Sequence, residues 1–300
     1  MESIDDVVLN FSPTSLQILN AVLAIVMFSI AIDLTPGDFK RLLRAPKSLL
    51  VGLLSQFIVL PVVTFVMLLI AQPRPSIALG LIVVAACPGG NISNFITHRA
   101  GGNSALSVSM TAIATVGAII LTPFNIALWG NLYEPTREIL RSTSIDPLQV
   151  AITVGLMLVL PLVLGITLNV MRPDLTSKIN RPLQWLSMAI FTAFIALALG
   201  ANWDFFLQFV GAVFALVFIH NALALLSGYL TASIFRLSAF DRRAVTIETG
   251  IQNSGLGLVL IFAFFQGLGG MAVVAAAWGI WHAISGIALA SLMSRTEAAR

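Results

Sequence analysis

Charge is scarce in this 300-residue chain: Asp, Glu, Lys and Arg make up 10% of it, apolar residues 58%, and the mean hydropathy is +0.98. So little polar surface excludes a water-soluble globular domain of ordinary make-up and leaves a polytopic membrane protein. Cysteine occurs once, as Cys87, which excludes an intramolecular disulfide and a multi-cysteine metal cluster; a single cysteine in an apolar run reads as a packing residue. HExxH, GxSxG with partner residues, a P-loop and paired intramembrane carboxylates are all missing, so hydrolytic and ATP-driven chemistry lack their parts and the chain is not expected to be an enzyme. Met1 leads into Glu2, Asp5 and Asp6 without a basic region or a small-residue cleavage site, so no removable signal or transit peptide is expected. The net charge of +3 calls for no nucleic acid, because the basic residues show no pattern with aromatics suited to bases.

What is present is apolar length. About 20 apolar residues cross a bilayer core of roughly 30 Å as helix, and nine stretches qualify: 15–32, 47–71, 76–100, 103–129, 148–171, 182–201, 206–235, 241–266 and 269–293. Runs such as Leu156 to Val163 are continuously apolar, unlike the alternating strands of a membrane β-barrel. The expected class is all-α, with nine transmembrane helices. Alternating the spans puts Lys40, Arg41, Arg44, Lys47, Arg99, Arg172, Lys178, Arg181, Arg236, Arg242, Arg243, Arg295 and Arg300 on one side and Arg74, Arg137 and Arg141 on the other, thirteen against three of the sixteen basic residues. Positive charge stays cytoplasmic, so the N-terminus is expected outside and the C-terminus inside, in a bacterial plasma membrane.

Two of the nine spans are broken by polar, glycine-bearing segments, Pro88-Gly-Gly-Asn-Ile-Ser-Asn94 and Glu248-Thr-Gly-Ile-Gln-Asn-Ser-Gly255. Irregular backbone at bilayer depth survives only where it lines a cavity, and a matched pair in opposite halves is the mark of a transporter binding site. The third span runs inward and the eighth outward, so the breaks are related by inverted topology. Each is followed by a turn and a closing span. This order suggests two inverted repeats within one membrane unit, 1–145 with four spans and no opening helix, and 146–300 with five, although no residue-level identity links the halves.

Glu248 is the only carboxylate deep inside a span, since Asp33, Asp38, Asp204 and Asp241 fall at helix ends or in loops. Burying an ionised acid at the bilayer centre costs at least about 2.5 to 3.5 kcal/mol, so it should face a cavity or hold a cation. Thr249, Gly250, Ile251, Gln252, Asn253 and Ser254 around it offer carbonyl and neutral side-chain oxygens, and hard oxygens with one negative charge suit Na⁺ or a proton rather than a transition metal. The other break supplies Asn91, Ser93 and Asn94, and the next span adds Ser107 and Thr111, four apart on one helical face. Gln56 is an isolated amide in an apolar run before Pro61, open to an interhelical hydrogen bond or a site role. His220, Asn221 and His282 are further intramembrane polar groups; neutral packing and proton relay both fit the histidines.

The segments CPGGNISN (Cys87 to Asn94), ALSVSMT (Ala105 to Thr111), SQFIVLP (Ser55 to Pro61), ETGIQNSG (Glu248 to Gly255) and WHAISG (Trp281 to Gly286), in this order through most of the chain, resemble the bile acid:sodium symporter family. The resemblance implies a core domain with two crossed broken helices, a panel domain beside it, and two sodium sites at the crossing. It implies a first sodium held by Ser93, Asn94, Ser107, Thr111 and Glu248, and a second by Gln56, Gln252, Glu248 and carbonyls around Thr249 and Ile251. Asn91, Asn253, Ser254 and His282 would border the substrate. Bacterial members often have threonine where this chain has Asn91, and asparagine where it has Ala283, which argues against a bile acid as substrate.

The expected function is a symporter that couples Na⁺ entry to import of a small or amphipathic organic anion by alternating access, with the lipid bilayer and the anion as its partners and no obligatory protein partner. A proton-coupled or exporting carrier, and a non-transporting receptor or scaffold on the same fold, stay open at this stage.

Overall fold

The computed structural model describes residues 4–5, 13–32, 46–90, 92–143, 146–201 and 203–298, and every regular element among them is helical. In chain order these are α1 Pro13–Ala31, α2 Pro46–Ala71, α3 Pro75–Ala86, α4 Ile92–Arg99, α5 Ser104–Leu132 and α6 Glu134–Thr143. They continue as α7 Pro147–Met171, α8 Pro173–Ala201, α9 Trp203–Ile234, α10 Ala239–Gly250, α11 Ser254–Phe264 and α12 Gly269–Ala298. Among the described residues five helices are long and apolar enough to cross a membrane: α2, α5, α7, the part of α9 from Val213 to Ile234, and the part of α12 from Gly269 to Ser294. The two stretches expected to be broken are each divided, into α3 and α4 and into α10 and α11.

Burial separates an inner layer from an outer wall. Every residue of α3 after its first is buried, as are Ser254 to Ile261 of α11 and Met271 to Trp278 of α12. Around them α2, α5, α7 and α9 turn large apolar side chains outward, Ile70 at 80% exposure, Ile120 at 72% and Ile234 at 75%. Such a belt fits hydrocarbon and would be costly in water. α3 packs against α5 and α12, α9 against α10 and α12, and α1 against α7 and α8.

Prolines shape two of the wall helices. Pro61 and Pro161 have no N–H and crowd the carbonyl four residues back, so a regular turn through them is strained and lacks a hydrogen bond. Both helices widen into a π turn just ahead of the proline, over Ser55–Val59 in α2 and Gly155–Val159 in α7, with Leu60 N–H donating to Ser55 O and Leu160 N–H to Gly155 O.

One element lies outside the expected spans. The stretch after the fourth of them forms α6, a short helix whose Thr136 and Leu140 are buried while Glu134, Arg137, Glu138 and Arg141 share the polar side. Thr136 Oγ1 donates to Gly130 O at 2.6 Å and Tyr133 O at 2.9 Å, which ties its start to the end of α5.

Candidate cation site

The two breaks cross and pair with each other. Past Ala86 the chain is extended through Cys87, and past Gly250 it is extended through Ile251. Gly90 N–H donates to Ile251 O at 2.7 Å and Asn253 N–H to Pro88 O at 2.9 Å, closing an antiparallel bridge between Gly89 and Gln252. Backbone groups released by one break are thus satisfied by the other, as burial without water demands. The approach requires glycine: a Cβ on Gly90 would stand 2.8 Å from Gln252 O, and one on Gly89 2.6 Å from Glu248 Oε2. Flanking groups finish the accounting, with Thr122 Oγ1 donating to Ala86 O at 2.7 Å and Asn253 Oδ1 capping α11 by accepting from Leu256 N–H at 3.0 Å.

Glu248 sits in the last turn of α10, fully buried. Ser93 Oγ donates to its Oε1 at 2.5 Å, Ser107 Oγ donates to the same oxygen, and Thr111 Oγ1 lies 3.1 Å from Oε1 and 3.2 Å from Oε2. Asn94 Oδ1 closes the group, 2.9 Å from Ser107 Oγ and 3.3 Å from Thr111 Oγ1. The spacing of Ser107 and Thr111 on α5 aims both at one point, and Asn103 fixes the start of that helix by accepting from Leu106 N–H at 3.1 Å. Six oxygens converge and only three of them, the hydroxyls, carry a proton. An oxygen-rich, proton-poor cluster with one negative charge is the donor set of a hard cation.

Beyond Oε2 the site has unused polar atoms. Gln56 is fully buried with neither Oε1 nor Nε2 partnered, and Gln252 is fully buried with its Oε1 unpartnered. A Cβ on Gly89 would lie 3.3 Å from Gln56 Nε2 and 2.6 Å from Glu248 Oε2, which places the Gln56 amide beside that second oxygen. Buried amides without partners demand an explanation, and a cation held between Gln56, Gln252 and Glu248 would supply one. The backbone there is partly engaged: Thr249 O accepts from Gln252 Nε2 at 2.8 Å and Ile251 O from Gly90, leaving each carbonyl one lone pair. Among the described residues no group of three or more His, Cys, Asp and Glu is placed to hold a metal ion, so the neutral oxygens define the ligand class.

Other expected residues lie apart from the cluster. His220, fully buried, pairs through Nε2 with Thr64 Oγ1 at 2.6 Å and packs on Trp278 with ring centres 4.7 Å apart. His282 is buried with Nδ1 unpartnered, and Ser254 is buried at the start of α11. Asn253 spends its oxygen on the α11 cap and holds Nδ2 4.0 Å from Met27 Sδ. Asn91 lies outside the described residues. Cys87 is a buried packing residue close to where a Gly257 side chain would fall.

Sequence reasoning overlooked Ser55, whose Oγ accepts from Thr249 Oγ1 at 3.0 Å, and undervalued Asp241. Asp241 accepts from Ser48 Oγ and from Asn103 Nδ2, both at 2.7 Å, while Arg243 Nη1 donates to Ala100 O at 3.1 Å and Gly101 O at 3.0 Å. Together they bind the start of α10 to α2 and to the turn between α4 and α5. The signal was a polar pair, Asp241 and Arg243, flanking a helix start.

A sequence profile of the Sodium Bile acid symporter family matches residues 20–209. The chain is 32% identical over 273 residues to the uncharacterized sodium-dependent transporter YocS of Bacillus subtilis, covering 91% of this chain and 82% of that protein. It is 32% identical over 274 residues to the probable sodium/metabolite cotransporter BASS1, chloroplastic, of Arabidopsis thaliana, covering 91% and 66%. With the P3 protein of Homo sapiens it shares 30% identity over 225 residues, 74% of this chain and 46% of that one. The chain belongs to the sodium bile acid symporter family and is a multi-pass integral membrane protein.

Proposed function

From this membership we propose that the chain is a sodium-coupled secondary transporter that imports a small or amphipathic organic anion by alternating access. The observation that carries the reading is the convergence of Ser93, Asn94, Ser107 and Thr111 on Glu248, with the unpartnered Gln56 and Gln252 on the far side of the same carboxylate. Two Na⁺ would bind there, the first to those four residues and Glu248, the second to Gln56, Gln252, Glu248 and the carbonyls of Thr249 and Ile251. Two of the relatives are named for sodium-dependent transport and for sodium/metabolite cotransport. The proposed architecture is nine spans in two inverted repeats, 1–145 and 146–300, forming a core and a panel domain, with the N-terminus outside and the C-terminus cytoplasmic in a plasma membrane.

Coupling follows from charge. One carboxylate with two Na⁺ leaves a local charge of +1, which a monovalent anion beside Asn91, Asn253, Ser254 and His282 neutralises. The N-terminal ends of α4 and α11, which point into the crossing, add positive potential for that anion. A core that holds both Na⁺ without the anion keeps the charge of +1, so it crosses less easily than the neutral, fully loaded core. Each full cycle carries one net charge inward, worth about 2.3 kcal/mol per 100 mV.

The test needs no substrate. Purified protein in NaCl, KCl and choline chloride at matched ionic strength should unfold at a higher temperature in NaCl alone. The sodium increment is about 2.7 kcal/mol at a hundredfold excess over a single dissociation constant. Glu248→Ala should abolish the increment. Equal stability of the unaltered protein in all three salts would refute the reading.

A further inference from the structure

Asn221, in α9, belongs to none of the ligand sets above, yet its side chain reaches the break. It is buried to 1% exposure, its Nδ2 donates to Gly250 O at 2.8 Å, and its Oδ1 accepts from Ser285 Oγ of α12 at 2.5 Å. Gly250 ends α10 two residues after Glu248, and its carbonyl is the one a continuing helix would have bonded to the N–H of Ser254. That N–H turns instead to Gln252 O at 2.9 Å. Of the three consecutive carbonyls at the end of α10, Thr249 O is taken by Gln252 and Ile251 O by Gly90, both inside the crossing. Gly250 O alone is taken by a different helix.

That helix is packed closely on α10. α9 lies against α10 so closely that a Cβ on Gly228 would fall 2.9 Å from Thr246 Cα. Gly250 O, an acceptor only, decides which end of the Asn221 amide faces it: the NH₂ group turns to the carbonyl, since the flipped amide would set two acceptors against each other, and Oδ1 is left to accept from Ser285 Oγ. Ser285 Oγ also lies 3.1 Å from His282 O, so the link continues into the α12 turn that carries His282.

We propose that Asn221 is a positioning residue of the cation site: backed by Ser285, it anchors the final turn of α10 and so fixes where the Glu248 carboxylate and the Thr249 and Ile251 carbonyls stand relative to the bound cation. This rests on the sodium reading above. Groups of this kind, one shell behind the ligands, typically change metal affinity 10- to 100-fold when removed.

The experiment titrates Na⁺ against choline at constant ionic strength, follows thermal unfolding of the full chain, and extracts the sodium dissociation constant for the unaltered protein, Asn221→Ala, Asn221→Leu, Ser285→Ala and Ser227→Ala. Asn221→Leu keeps the branching and the number of side-chain heavy atoms and removes both hydrogen bonds. Ser227 is a control in the same helix, since its Oγ bonds only within α9, to Ala224 O at 2.8 Å. Both Asn221 variants should weaken sodium roughly 10- to 100-fold, Ser285→Ala by a smaller factor in the same direction, and Ser227→Ala not at all. Should Asn221→Ala fail to fold, Asn221→Leu and Ser285→Ala are read by the same criterion. A drop in unfolding temperature that is equal in sodium and in choline, with the dissociation constant unchanged, would overturn the proposal and leave Asn221 a packing residue. No sodium response from the unaltered protein would instead sink the sodium reading itself.

Discussion

The π turns of α2 and α7 carry the same backbone solution in two unlike places. Each occupies five residues, Ser55–Val59 and Gly155–Val159, and each is followed by Leu-Pro, Leu60-Pro61 and Leu160-Pro161. In α2 the turn is inward: Ser55, Gln56 and Phe57 are buried, Thr249 donates to Ser55, and the Gln56 amide lies beside Glu248. In α7 only Leu158 is buried, and Leu156, the counterpart of Gln56, is 53% exposed on the outer wall. Proline produces the wide turn in both, so the turn is not itself the mark of a site. The mark is a buried polar side chain on it that finds no protein partner.

The strongest way to break this contrast is to make the α2 turn read like the α7 turn. Gln56→Leu leaves Pro61 and the wide turn in place and removes only the amide. It should eliminate most of the sodium-specific stabilisation that the second cation contributes, on the order of 2.7 kcal/mol at a hundredfold excess of Na⁺ over its dissociation constant, while stability in choline chloride holds or rises because a buried unpartnered amide is gone. A sodium increment equal to that of the unaltered protein would reduce Gln56 to a packing residue and the α2 turn to a second copy of the α7 turn.

A smaller effect should follow from changing the turn and keeping the amide. Pro61→Ala restores an N–H and lets α2 relax toward regular helix, which shifts Ser55 and Gln56 around the helix axis relative to Glu248. Stability in choline should rise by up to about 1 kcal/mol, since an interior proline is a net cost. The sodium increment should fall by a comparable amount, so stability should rise in choline and stay nearly unchanged in NaCl. An equal rise in both salts would mean that Gln56 adapts and that the turn does not position it.

The same contrast explains what could be read from the sequence. Apolar length located the five helices long and apolar enough to cross a membrane, and glycines in apolar runs located both breaks, because each depends on residues adjacent in the chain. Glu248, Gln56, Ser107 and Thr111 were legible for a related reason: polar groups are expensive inside a membrane and stand out against their neighbours. The π turns were not legible, since Pro61 and Pro161 require some distortion without dictating a wide turn over a kink. Nor was α6, too short and too charged to stand out by apolar length. The pairing of Gly89 with Gln252, the Asn221 bond to Gly250 O and the Asp241 hub join residues from distant segments, and no local pattern announces such partners.

The smallest expected effect lies on the outer wall and is the control for everything said of α2. Pro161→Ala should relax the α7 turn as Pro61→Ala relaxes the α2 turn, and raise stability by up to about 1 kcal/mol in every salt. Gly155 packs no closer than ordinary contact with Ile119, and no polar side chain rides on the turn, so nothing at Glu248 should respond. The sodium dissociation constant should therefore stay within twofold of the unaltered value while the unfolding temperature climbs. A clear change in sodium affinity would show that α7 reaches the site through its packing on α1 and α5. The two prolines would then act on one mechanically coupled unit, and wide turns would deserve weight as functional signals even where they carry only leucine.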